Sequence, residues 1–326
     1  MNKLDYPCYN KLDYPYYNNF YSLNKKKVNN IIKNFSPVIL DIIPKELIKF
    51  DLEKYDNSYF IIKENYLINK DMNNITDYFS ENIRVKCSFG NNISPYEYWN
   101  KNKKILLEKT KKKYDIVNIY NLREIIYLNT QLCNNFRISV ALTILQYFKP
   151  KSWLDISAGW GDRLLSALFY KIDFYESCDP NLDLHKCYDS MIDTFSSKSK
   201  KKNFIIHKRG FLESHFEKTN FDIVFSSPPF FNLEKYSSFS ENSITKYNTE
   251  KDWIKYFFIP SLIKAYNHLK INGHILLYIG GSRDVFTNMR KLDKIMEYKG
   301  KIYFYEKKPR GVYVWKKIKK NKIYNL

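Results

Sequence analysis

The chain has 326 residues, of which 44% are apolar and 17% aromatic, enough for a sizeable core in one large domain or two smaller ones. It has no run of eighteen apolar residues to mark a membrane span, and its first residues, MNKLDYPCYN, lack the apolar stretch of a secretory signal, so no membrane association and an intracellular, cytoplasmic setting are expected. The net charge of +20, from 54 Lys+Arg against 34 Asp+Glu, should attract polyanions in a salt-dependent way, although Lys outnumbers Arg as a bias toward A/T-rich codons would also make it do.

Residues 2–9, NKLDYPCY, nearly recur at 10–17 as NKLDYPYY, and the paired Tyr-Pro steps disfavour a helix there. An extended or poorly ordered arm is expected, a flexible tail or a segment packed on the surface in preference to one that stacks its tyrosines on bases. Lys25–Lys27 lead into a short helical candidate, and Pro37 and Pro44 interrupt the segment after it. Ser58–Ile68 reads as strand or hairpin, Ile83–Phe89 as another strand, and Ser94–Trp99 as a turn opening an aromatic-rich helix. Residues 1–112 are thus expected to form an N-terminal α+β accessory module that recognises substrate, and residues 113–326 a catalytic domain.

From Ile116 the pattern sharpens. Apolar residues from Ile116 to Phe148 recur at helical spacing, as one long helix or two, ending before Pro150. Strands are expected at Ser152–Asp155, Ile172–Asp179, Asn203–His207, Phe221–Phe225 and His274–Ile279. Helices should intervene through Tyr170, over Leu182–Phe195, over Asp252–Leu269 and over Arg283–Tyr298. Lys301–Glu306 and Val312–Lys317 flank KKPRG as an antiparallel hairpin. This alternation predicts an α/β fold, a doubly wound Rossmann-like sheet with a C-terminal antiparallel hairpin at one edge.

Three features then fall at the carboxyl ends of strands, where open α/β sheets bind ligands. In WLDISAGWGDR, Asp155 ends a strand, and Gly159 and Gly161 make a tight turn before a helix. The spacing is neither GxGxxG nor GK[ST], and a carboxylate there suits a cationic or hydroxyl-bearing cofactor better than a pyrophosphate. Asp179 ends the next strand, where a carboxylate can accept from both hydroxyls of a ribose or cap the following helix. Ser227, Pro228, Pro229 and Phe230 follow the fourth. The prolines stiffen that loop and offer carbonyls, so the Pro228 carbonyl and Ser227 side chain can meet an incoming amine while Phe230 lies against a planar ring. Residues Phe231–Asp252 read as a functional loop that closes over a substrate. The five cysteines and five histidines have no metal-ligand spacing, so neither a disulfide framework nor a metal site is expected.

LDISAGWGDR followed by IVFSSPPFFNLEKY resembles the class I S-adenosylmethionine-dependent amino-methyltransferases of nucleic acids, with the fuller motifs nearest phage and viral DNA methylase-like members. The resemblance covers about 120–317 and implies a seven-stranded methyltransferase sheet. It implies S-adenosylmethionine as cofactor, held by the stretch with Asp155, Ser157, Ala158, Gly159 and Gly161 at its amino-acid end and by Asp179 at its ribose. It makes Ser227, Pro228, Pro229 and Phe230 the catalytic tetrapeptide around a flipped base. The acidic residue that the family often places after its third strand is missing from HKRGFLE, where Glu213 is the substitute, and Asn135 and Arg137 are candidates for a segment covering the cofactor. No cysteine follows the prolines, against covalent methylation of a base carbon. The expected substrate is the N6 amine of adenine in DNA. The alternatives are adenosine in RNA, including next to a cap, N4 of cytosine in DNA, and a catalytically inactive scaffold that grips nucleic acid. A viral gene, with the protein in a viral factory or virion, fits the same resemblance.

Overall fold

The structure, a computed structural model, describes residues 13–19, 22–40, 45, 49, 58–231, 233–236, 243–305 and 309–326. The chain first forms helix α1 (Lys25–Lys33), strands β1 (Ile39–Leu40) and β2 (Ser58–Lys63), helices α2 (Tyr66–Asn73) and α3 (Ile75–Arg84) and strand β3 (Ser88–Phe89). Helices α4 (Pro95–Tyr114), α5 (Ile119–Asn129) and α6 (Ile138–Phe148) follow. Then come β4 (Ser152–Asp155), α7 (Asp162–Tyr170), β5 (Phe174–Cys178), α8 (Leu182–Phe195), β6 (Phe204–His207), β7 (Phe221–Ser226) and β8 (Glu234–Lys235). The last elements are α9 (Ile259–His268), β9 (Leu269–Leu277), α10 (Arg283–Met289), β10 (Glu297–Tyr305) and β11 (Pro309–Lys316).

One sheet runs β1-β2-β10-β11-β9-β7-β4-β5-β6, and β3 pairs with β8 in a separate two-stranded ribbon. From β10 to β6 the seven strands have the expected doubly wound arrangement: β11 runs antiparallel between β9 and β10, and the others are parallel. The strand order reverses between β4 and β7, which opens a crevice at their carboxyl ends. Trp153 fixes these two strands together by stacking on Phe225 at 5.3 Å and donating from Nε1 to the Phe225 carbonyl at 2.7 Å. Apolar residues of α6, α7 and α8 bury one face of the sheet, and those of α9 and α10 bury the other.

The sheet has nine strands where seven were expected, because the N-terminal segment adds two. Strand β2 lies parallel to β10 and puts Phe60 and Ile62 into the same core as Ile302 and Phe304. The expected boundary at 112 falls inside α4. Only the first half of Ser58–Ile68 is a strand; the rest begins α2. Ile83–Phe89 is mostly not a strand. Ile75, Phe79 and Ile83 recur at helical spacing and face the core, which ends α3 at Arg84 and leaves two strand residues at Ser88–Phe89.

Where it is described, the arm is a packed segment and not a free tail. Tyr14 is fully buried, 6.4 Å from the Trp99 ring, and packs on the α4–α5 pair rather than lying open to bases. Residues 1–12 and Pro44 lie outside the described residues. The helix expected over Arg283–Tyr298 ends at Met289, a 3-10 turn continues to Lys294, and β10 starts at Glu297, with a bulge against β11 at Gly300 (φ +102°). Among the described residues no helix is long and apolar enough to cross a membrane.

Candidate active site

The carboxyl ends of β4, β5, β7 and β9 surround a cavity of about 420 Å³. At the first, Gly159 (φ +60°) and Gly161 (φ +99°) turn the chain into α7 through backbone conformations that side chains with a Cβ rarely adopt. The Gly159 N–H donates to Asp179 Oδ2 at 3.2 Å, and Asn181 N–H donates to Oδ1 at 2.9 Å. The turn and the end of β5 are therefore one unit. Asp179 lines the cavity although only 8% of it is exposed, and burial pushes its carboxyl up to about 6.

Asp155 is not on the cavity wall. It is completely buried and accepts from Arg163 Nε at 2.8 Å, from Tyr175 Oη at 3.0 Å and from Ser157 N–H at 3.2 Å. Arg163 enters the interior in the first turn of α7 and needs a counter-ion there, and it also donates to the Ser157 carbonyl. Asp155 thus braces the glycine turn from beneath. Arg163 and Asp162 are both buried, and Arg163 pairs with Asp155. Ala158 is buried with its N–H on the Cys178 carbonyl, and Gly161 faces Met191; of the glycine stretch, Ser157, Gly159 and Trp160 line the cavity.

Ser227, Pro228, Pro229 and Phe230 all line the cavity beyond β7. Ser157 Oγ donates to the Ser227 carbonyl at 3.0 Å and joins the glycine turn to this loop. The Ser227 hydroxyl makes no hydrogen bond within the protein among the described residues. Phe230 is 6.3 Å from Tyr278 at the end of β9, and Tyr278 lies 5.5 Å from Phe136 and 5.7 Å from Phe304. These four rings give the cavity an aromatic wall.

Asn135 and Arg137 line the cavity ahead of α6. Asn135 Nδ2 donates to Asp77 at 2.9 Å, while its buried Oδ1 has no partner among the described residues. Glu213 is not brought to the site: it pairs with Lys246 at 2.9 Å, and the Gly210–Ser214 turn that carries it lies outside the cavity lining.

Other lining residues were not named singly as site residues from the sequence. Glu234 and Tyr236 belong to the SPPFFNLEKY stretch and to the expected closing loop, within which only Ser227, the prolines and Phe230 stood out by residue type. The Glu234 carboxyl is raised by burial and accepts from Tyr236 Oη and the Asn134 N–H. Pairing of β8 with β3, and a hydrogen bond from Gly90 N–H to the Leu233 carbonyl at 2.8 Å, hold this segment at the site. The expected closing loop is therefore pinned at its start, while residues 237–242 lie outside the described residues. Asp162 also lines the cavity; burial pushes it up to about 7, against the hydrogen bond from Thr76 Oγ1 at 2.6 Å.

Helix α3 stands behind this edge. Besides Thr76, its Ser80 donates to the Trp160 carbonyl at 2.9 Å, and its Asp77 holds Asn135. Asp77 and Glu81 are neutralised by buried Arg84 and Arg123, so the acidic side of α3 is compensated without solvent. Nothing in TDYFSENIR marked it as part of a site.

No family model matches the chain, and no curated protein matches it in sequence. Among solved structures it is similar to TrmN from Thermus thermophilus (TM-score 0.42, 13% identity, 57% of this chain and 50% of that one). It is similar to a SAM-dependent O-methyltransferase from Thermotoga maritima (TM-score 0.38, 12% identity, 60% and 70%). It is also similar to the tRNA (m1A58) methyltransferase TrmI from Aquifex aeolicus (TM-score 0.38, 11% identity, 57% and 70%).

Proposed function

We propose that this chain is an S-adenosylmethionine-dependent methyltransferase acting on an exocyclic base amine in nucleic acid, with N6 of adenine in DNA as the substrate. The observation that carries the reading is that the glycine turn, Asp179 and the SPPF loop line one cavity and are hydrogen-bonded to one another. The residues fit such a cofactor. Asp179 offers carboxylate oxygens to ribose hydroxyls. Asn135 Oδ1 has no partner among the described residues and the Glu234 carboxyl accepts from neutral donors only, which suits a ligand ammonium. Gly159 leaves the backbone open to close approach.

When bound, the cofactor supplies a methyl group activated by a sulfonium. The protein's task is to prepare the amine, whose lone pair is conjugated with the base ring. The Ser227 hydroxyl and Pro228 carbonyl accept the two N–H hydrogens, favour a pyramidal nitrogen and stabilise its developing positive charge, which is discharged when the methylated nitrogen releases one of those protons to solvent. Phe230 holds the ring plane, so the amine is presented in one orientation. The positive charge and the resemblance of SPPFFNLEKY to DNA methylase-like sequences support nucleic acid, and DNA in particular.

The test is transfer of labelled methyl to duplex DNA, single-stranded DNA, uncapped RNA and capped RNA, followed by nucleoside mass spectrometry. N6-methyldeoxyadenosine is the expected product. Label confined to RNA, or on N4 of cytosine, replaces the substrate and keeps the amine chemistry. Label on a base carbon contradicts that chemistry, and cofactor binding without transfer leaves a scaffold.

A further inference from the structure

The aromatic side of the cavity ends at a cation that the proposed chemistry does not use. Arg310 opens β11, directly opposite Phe304 in the β10–β11 ladder, and both residues line the cavity. Phe304 is 3% exposed and forms part of the aromatic wall, whereas Arg310 is exposed. The Arg310 side chain has no ion pair or hydrogen bond to any described residue. The other arginines of the cavity lining are differently placed: Arg163 is committed to Asp155, and Arg137, at the N-terminal cap position of α6, makes no capping hydrogen bond with its side chain but is not without a partner. A guanidinium unpaired among the described residues and opposite a buried ring in the ladder is suited to a ligand that is planar at one end and anionic at the other. A base attached to its backbone phosphate is such a ligand, and the planar fork of arginine matches phosphate oxygens in pairs.

We propose that Arg310 binds a backbone phosphate next to the target nucleotide and so makes the site selective for a base within a polynucleotide. This rests on the proposed amine methylation of nucleic acid and names what that site reads besides the base. With the base against Phe230, Tyr278 and Phe304, the sugar and phosphates emerge at the rim where Arg310 stands. A free nucleoside fills the aromatic part of the cavity and leaves Arg310 without a partner. A planar amide on a protein side chain likewise brings no phosphate.

The experiment compares wild-type protein with Arg310→Ala and Arg310→Lys on an oligonucleotide, on the same oligonucleotide with single neutral methylphosphonate linkages beside the mapped target, and on the free nucleoside. Affinity for S-adenosylhomocysteine is measured on each variant as a check of the fold. Arg310→Ala should lower kcat/KM on the oligonucleotide by about 10- to 100-fold, with Arg310→Lys intermediate and cofactor affinity unchanged. One methylphosphonate should impair wild type by a similar factor and Arg310→Ala hardly at all. Equal losses on nucleoside and oligonucleotide, or methylphosphonate effects identical in wild type and Arg310→Ala, would overturn the assignment. Absence of wild-type transfer to any polynucleotide would instead remove the reading on which it stands.

Discussion

Asp179 carries two loads in this site: it ties the glycine turn to β5 and lines the cavity. Replacing it by alanine should weaken S-adenosylhomocysteine binding by about 10- to 100-fold, the usual worth of a charge-assisted hydrogen bond, measured by calorimetry. Its pH behaviour adds a finer test. Burial raises the free carboxyl to about 6, whereas hydroxyls donated by a ligand favour the ionised form. Binding near pH 6 should therefore release protons, seen as a dependence of the heat on buffer ionisation enthalpy, and Asp179→Asn should abolish that release. Asp162 acts on stability instead. Its carboxyl is raised to about 7 in the folded protein, against 3.8 for an unperturbed aspartate, so between those values the native state binds more protons than the unfolded one. Stability without ligand should fall as pH rises from about 4 to about 7. Denaturant titrations should show Asp162→Asn removing part of that slope. An unchanged slope would mean that Asp162 is not the group responsible.

Helix α3 is the element that turns an N-terminal segment into part of the site. Thr76→Val and Ser80→Ala each remove a buried hydrogen bond to the Asp162 or Trp160 end of the glycine turn, and each should weaken cofactor-analogue binding severalfold and cost about 1–3 kcal/mol of stability in denaturant titrations. Arg123→Ala should behave differently, destabilising the protein by about 3–5 kcal/mol, because Asp77 and Glu81 would lose a buried counter-ion. Gly161→Ala should cost about 1–3 kcal/mol in denaturant titrations, since φ is +99° there. The strands around the site were legible because parallel buried strands and amphipathic helices leave strong periodicities, as at Leu182–Phe195, which matches α8 throughout. The SPPF loop and Asp179 were legible as types of residue at strand ends. The role of α3 was not, because its meaning depends on contacts such as Ser80 with Trp160, far apart in sequence. Asp155 was misplaced for a related reason: a carboxylate at a strand end looks ligand-facing until Arg163 is seen to claim it.

Among the described residues, part of the N-terminal segment is built into the sheet edge and a crevice lies at the strand ends, and the chain carries a large positive charge. A net charge of +20 predicts that polynucleotide affinity falls steeply between about 50 and about 200 mM salt, while cofactor-analogue affinity changes little, which anisotropy and calorimetry can compare directly. The proposed chemistry requires the Asp179 side and the SPPF side to form a single active site for methyl transfer to a base amine. A bisubstrate analogue, in which the cofactor's sulfur-bearing half is joined to N6 of adenosine, spans both sides at once, and its affinity is the quantity to measure. It should bind at least ~100-fold tighter than S-adenosylhomocysteine, and Asp179→Ala and Ser227→Ala should each remove part of that advantage. An analogue that binds no tighter than S-adenosylhomocysteine, or whose affinity ignores Ser227, would contradict a single site of this kind.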